Sequence, residues 1–191
     1  MQAYLGYMIK ANLLSNHFLV AMPVLADSNF TKAVVYLHEH TAQGALGMII
    51  NKPLQINLGN VLDHLDIAVT QAKITDHTVL MGGPVGQEHG FIIYDHKVSD
   101  PNDGLDVTVS ASKETLKDIA LGKGPTDFII TLGYSGWEAG QLEEEIARND
   151  WLTVPFNRAI LFDTPVEQRW QATAALIGID INQLSGQVGH A

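Results

Sequence analysis

The chain contains no cysteine. Disulfides, thiolate metal sites and cysteine nucleophiles are therefore excluded. Basic residues are also few: 11 Lys and Arg stand against 21 Asp and Glu, for a net charge of −10. They are spread along the sequence without a cluster, and no helix-turn-helix, basic arm or RNP-like aromatic set accompanies them. A broad nucleic-acid or anionic-membrane footprint is disfavoured, and direct DNA binding is not expected. Long apolar runs are missing too, with nothing approaching the ~20 residues of a membrane span. The stretch Leu13 to Ala26 is broken by Ser15, Asn16, His17 and Pro23 and preceded only by Lys10, a poor signal peptide. A cytoplasmic protein without membrane contact is the expectation.

What remains is ordinary globular material. The 191 residues are 46% hydrophobic, enough for one domain with a real core and short of two. Short buried strands are predicted at Phe18–Met22, Ala33–Glu39, Ala45–Asn51, Thr78–Met81, Phe91–Tyr94, Leu105–Val109 and Phe128–Leu132. Helices are predicted over Asn57–Leu65, capped by Asn57, and near Lys113–Leu121, stopped by Gly122. Thr164-Pro165-Val166-Glu167 reads as a capping box opening a helix that carries Val166, Trp170, Ala174 and Ile177 to Gly178. Helices and strands interleave without strict alternation, which favours an α+β fold with a mixed sheet.

Most chemistry motifs fail on spacing. After His38-Glu39-His40 the zincin pattern needs a further His at position 42, where Ala42 stands. On a regular strand His38 and His40 share a face and can ligate a metal, with His89 or His96 as a third ligand. A strand end entering a polar loop explains them better, and no metal or cofactor is expected. Gly82-Gly83-Pro84-Val85-Gly86 misses the dinucleotide fingerprint, and Gly122-Lys123-Gly124 lacks the P-loop hydroxyl. Asp100–Gly104 lacks the carboxylate that a calcium loop requires and reads as an Asx-type turn. Ser110-Ala111-Ser112-Lys113 matches S-x-x-K, yet Ser112 as a helix N-cap accounts for it. Gly133 to Gly140 reads as a glycine-rich turn from a strand into a helix. Ser135 sits there as in a nucleophile elbow, but Trp137 replaces the last glycine.

Several blocks taken together are more specific than any motif. They are LLSNHFLVAMPVLADSNFTKAVVYLHEH (13–40), GALGMIINKPL (44–54), GGPV (82–85), GYSGWEAGQLEEEI (133–146), and Trp170 followed by LIGID (176–180). Over nearly the whole chain beyond residue 12, the sequence resembles the AlgH/YqgE family of bacterial proteins. The resemblance implies a compact cytosolic α+β domain, its mixed sheet partly closed into a barrel and surrounded by helices. It implies no reaction, although a regulatory role in transcription is attached to some members by name. The family's patterned polar positions fall on Glu39, His40, Asn51, Gln141, Glu143 and Glu145; position 38 is not among them, which argues against a His38/His40 metal pair. Residues 1–12 form an extension expected to be dispensable, with Met8 as an alternative start, residues 13–185 the domain, and 186–191 a loose tail.

The candidate binding set is Glu39, His40, Asn51, Gly82, Gly83, Ser135, Trp137, Gln141, Glu143 and Glu145. These would line a groove between the strand ending at Glu39-His40 and the turn Gly133–Gly140. The leading reading is a non-enzymatic binding or regulatory protein, monomer or weak homodimer, with a small-molecule or protein partner. The alternative is a weak hydrolase or transferase, with Ser135 as nucleophile, His40 as base and Glu39 or Glu145 as orienter.

Overall fold

A computed structural model of the chain describes residues 14–95 and 107–184. The predicted extension 1–12, the tail 186–191, His96 and the Asp100–Gly104 turn lie outside the described residues. The apolar runs form three adjacent antiparallel strands, β1 (His17–Ala21), β2 (Val34–Thr41) and β3 (Gly44–Ile49). Their runs are continuous because both faces are covered. Phe18, Val20, Val34, Tyr36 and Met48 point to one layer, and Leu19, Ala21, Val35, Leu37 and Ile49 to the other.

The chain then continues through β4 (Pro53–Asn57), α1 (Leu58–His64), β5 (Thr78–Met81), β6 (Val85–Asp95), β7 (Val107–Ser110) and α2 (Lys113–Ala120). It ends with β8 (Phe128–Glu138), α3 (Gln141–Ala147), β9 (Trp151–Pro155), α4 (Arg158–Phe162), α5 (Arg169–Ala175) and α6 (Ile181–Leu184). Among the described residues nine strands form one mixed sheet of order β4-β5-β8-β3-β2-β1-β9, with β6 paired to β8 and β7 to β6. β5 and β8 run parallel, and every other pair is antiparallel. The fold is thus a single α+β domain with a mixed sheet. Among the described residues the expected barrel closure is absent: β4 and β9 stand at opposite ends of the path and do not pair.

β8 is the axle. Its first half, Phe128–Leu132, pairs with β5 and β6, and Ser135–Glu138 pairs with β3. The predicted turn from Gly133 is therefore a strand, and it corrects the sequence reading. Gly133 (φ +75°) accommodates the change of partner, and a Cβ there would lie 2.6 Å from the Gly83 carbonyl oxygen. Local caps follow expectation: Asn57 and Asn60 cap reciprocally at α1, and the Ser112 hydroxyl accepts from Glu114 and Thr115 N–H at α2. The Thr164 capping box does not form. Its hydroxyl donates to the Ala159 carbonyl at 2.8 Å, and a 3₁₀ turn, Val166–Gln168, precedes α5. Among the described residues no helix is long and apolar enough to cross a membrane.

Candidate functional site

The predicted polar residues gather where α3 lies over β8 and β9. The Glu145 carboxylate accepts both indole N–H groups, from Trp137 and Trp151, at 2.8 Å each on Oε2. Its Oε1 accepts Gln141 Nε2 at 2.9 Å, one helical turn earlier, and Gln141 Oε1 accepts the Glu138 N–H at 3.0 Å. Phe30 stacks on Trp137 and meets Trp151 edge-on, so the two indoles that donate to the carboxylate are packed by a third ring. With three donors bound, Glu145 ties helix to strand.

His40 reaches this seam because β2 is irregular. Leu37 pairs with Gly47, Glu39 with Leu46 and His40 with Ala45, so one extra residue is inserted at His38. Such a bulge breaks the two-residue alternation and turns His40 to the face of Leu37. His38 and His40 thus do not share a face, and the geometry assumed for a metal pair is not present. His40 is buried; its Nε2 donates to Glu143 Oε1 at 3.0 Å and its backbone N–H to the Ser15 hydroxyl at 3.0 Å. Glu39 points to solvent. Burial lowers the His38 imidazole below its ordinary pKa, with the Glu39 charge opposing.

Ser135 is fully buried, and its hydroxyl donates to the Gly82 carbonyl at 3.2 Å. That carbonyl also accepts the Ile49 N–H at 2.7 Å. Gly82 and Gly83 are needed for this crossing, since a Cβ on either would lie 2.2 Å from a β8 backbone atom. The register sets Ser135 opposite Gly47 and His40 opposite Ala45. Their Cα atoms are then on the order of 12 Å apart, two strands and two residues of offset. No nucleophile–base pair forms, and α3 fills the predicted groove. Asn51 is likewise structural: its Oδ1 accepts the Val34 N–H at 2.7 Å, and its Nδ2 donates to the Lys32 carbonyl at 2.8 Å.

An open cleft lies elsewhere, between α1, the start of α2 and the β6–β8 face, with a volume of about 570 Å³. Its apolar lining includes Val61, Leu65, Phe91, Leu116, Ile130 and Leu132, with His64, Glu88, Ser112 and Lys113 among its polar members. Lys113 Nζ donates to the Leu65 carbonyl at 3.2 Å, so it is not the base for Ser110 that S-x-x-K suggests. β6 is bulged where it borders the cleft at Gln87, Glu88 and Gly90: five steps from Val85 to Gly90 span only two on β8.

The AlgH-like family model (DUF179) matches residues 18–182. The chain belongs to that family. A UPF0301 protein of Coxiella burnetii is 65% identical over 184 residues, covering 96% of this chain and all of that one. One of Nitrosococcus oceani is 44% identical, covering 92% and 96%. Among solved structures, the AlgH protein of Pseudomonas aeruginosa superposes with a TM-score of 0.75 at 44% identity, covering 93% and 96%. Protein DIP2367 of Corynebacterium diphtheriae shares the fold, with a TM-score of 0.69 at 18% identity over 90% and 91%.

Within this AlgH-like chain, the sequence set divides by location. His40, Trp137, Gln141, Glu143 and Glu145 meet at the α3 seam; Gly82, Gly83 and Ser135 meet at the strand crossing; Asn51 and Glu39 stand apart. None of them lines the cleft. Sequence reasoning missed its residues because they come from positions 56 to 132 with no motif joining them. The available signal was the weakly apolar stretch Gly86–Gly90 interrupting an otherwise strong strand.

Proposed function

We propose that this AlgH-like protein is a non-enzymatic regulatory binding module of the cytoplasm, and that its ligand occupies the α1–α2–β6 cleft. The observation that carries the reading is the contrast in that cleft between an apolar floor and few polar groups. Its volume of about 570 Å³ lies within the ~300–1,000 Å³ of small-molecule sites, which are lined in the same manner. The ligand class is an amphiphile: an apolar body against Phe91, Leu116 and Ile130, and one polar head near Lys113 and His64. Support also comes from the engagement of Ser135, His40 and Glu145 in structural hydrogen bonds, which leaves the hydrolase reading without a nucleophile–base pair.

The test is displacement of the fluorophore anilinonaphthalene sulfonate by decanoate. Wild-type protein is expected to release the dye in a saturable titration, and Val61→Arg to bind neither compound while melting as wild type. Equal dye binding and displacement in Val61→Arg would refute the cleft as the site.

A further inference from the structure

A second pocket shares no residue with the cleft. Thr31, Lys32, Asn51, Lys52, Glu167, Trp170 and Gln171 enclose about 250 Å³ where the β3–β4 turn meets the start of α5. We infer that this pocket binds a phosphate group, presented as a small phosphomonoester, between the Lys32 and Lys52 ammonium groups.

In a chain of net charge −10, three of the 11 basic residues come together here: Lys32 and Lys52 in the wall and Arg169 behind it. This corrects the expectation from sequence that the basic residues form no cluster. The fold fixes them. Asn51 grips the Lys32 carbonyl, holding that residue in a left-handed turn (φ +53°), and Lys32 Nζ sits 5.5 Å from the Trp170 ring centroid. Lys52 Nζ donates to the Asn29 carbonyl at 2.7 Å, which leaves two of its three protons for other acceptors. Arg169 is buried and bonds only backbone carbonyls, those of Ile50 and Thr164.

None of the three cations has a carboxylate within ion-pair distance among the described residues. Arg158 is the internal contrast, since Asp95, Asp127 and Asp163 surround it at 2.9, 2.6 and 3.4 Å. The protein thus neutralises one surface arginine threefold, whereas exposed Lys32, partly buried Lys52 and buried Arg169 have no carboxylate in contact. Burial, opposed by Asp27, lowers the Lys52 pKa, and burial, opposed by Glu167, lowers that of Arg169 to about 10. Both shifts reflect positive charge held away from water without contact compensation.

The donor set selects the anion. Two ammonium groups match a dianion as point charges; the Thr31 hydroxyl and the second amide protons of Asn51 and Gln171, whose first go to the Lys32 carbonyl and to Asn182 Oδ1, add neutral donors for a tetrahedral ion. A planar carboxylate would prefer an arginine fork, and that of Arg169 is engaged with carbonyls. The volume leaves room for a small organic substituent beside Gln171. Glu167 is the one opposing charge in the lining.

The test is an amide NMR titration of the full chain with inorganic phosphate, and separately phenyl phosphate, against acetate at matched ionic strength. Both phosphates are expected to shift Thr31, Lys32, Asn51 and Lys52 saturably, with phenyl phosphate tighter and acetate inert. Lys52→Met should weaken phosphate by at least about tenfold, the scale of one charge-assisted contact. Glu167→Gln should tighten it several-fold, a gain that no folding defect can imitate. Non-saturating shifts, an equal response to acetate, or unchanged affinity in both variants would overturn the assignment.

Discussion

Before Gly133, β8 contributes Ile130 and Leu132 to an open cleft; beyond it, the same strand sends Ser135 and Trp137 into regions closed by hydrogen bonds. The two halves differ in where their polar groups go. Along the second half nearly every candidate catalytic side chain has a partner inside the protein: Glu145 with two indoles and an amide, His40 with Glu143, Ser135 with Gly82. Along the first half Ile130 and Leu132 face a cleft whose lining is mostly apolar, with His64, Glu88, Ser112 and Lys113 among its few polar members. A cluster of reactive residue types is therefore no guide to a site when each is used to join helix to strand, while an unremarkable stretch can border an open cleft.

That contrast is broken most readily at Trp137. Trp137→Ala should cost ~3–5 kcal/mol in urea unfolding, the value for a large buried ring, where a ring lining an open pocket would cost far less. Glu145→Ala comes next, at about 2–4 kcal/mol, because two buried indole N–H groups lose their acceptor; Glu145→Gln, which keeps one oxygen, should cost less. Ser135→Ala should cost about 1 kcal/mol by the same measurement. Val61→Arg should cost least, about 0.5 kcal/mol, because the partly buried Val61 side chain borders the cleft, into which the longer one extends. If Ser135→Ala and Val61→Arg exchanged places in this order, the contrast between the halves would fail.

Acid should weaken both halves modestly. His38 at the β2 bulge and His77, stacked on Phe128 at 4.4 Å, have imidazole pKa values lowered chiefly by burial. The unfolded chain then takes up protons first. Their contribution is full above the ordinary imidazole value of 6.5 and is lost as pH falls through the depressed folded values. The melting temperature should decline between about pH 7 and pH 5, and His77→Gln should flatten that decline. An unchanged slope in His77→Gln would show that other groups govern it.

Much of the fold was legible because its signals are local. Asn57, Ser112 and Gly122 mark helix ends through contacts only a few residues away, and the β1–β3 runs declare strands covered on both faces. The site was less legible for three physical reasons. Gly133, Gly136 and Gly140 read as a turn, yet the first two lie within β8, where Gly133 permits a backbone crossing. The bulge at His38 reverses a facing that strict alternation predicts. The cleft and the Lys32–Lys52–Arg169 trio are assembled only by tertiary contacts between distant segments. β4, β9 and α4 were also unread, being short elements that contain or abut proline or asparagine.

The central claim is that ligand binds along the first half of β8 and not the second. Methyl-resolved NMR of the wild-type protein titrated with decanoate tests it most directly. Saturable shifts are expected at Val61, Leu65, Leu116, Ile130 and Leu132, with Leu37, Leu142 and Ile146 unmoved. Shifts confined to Leu37, Leu142 and Ile146 would place the ligand at the α3 seam and contradict it.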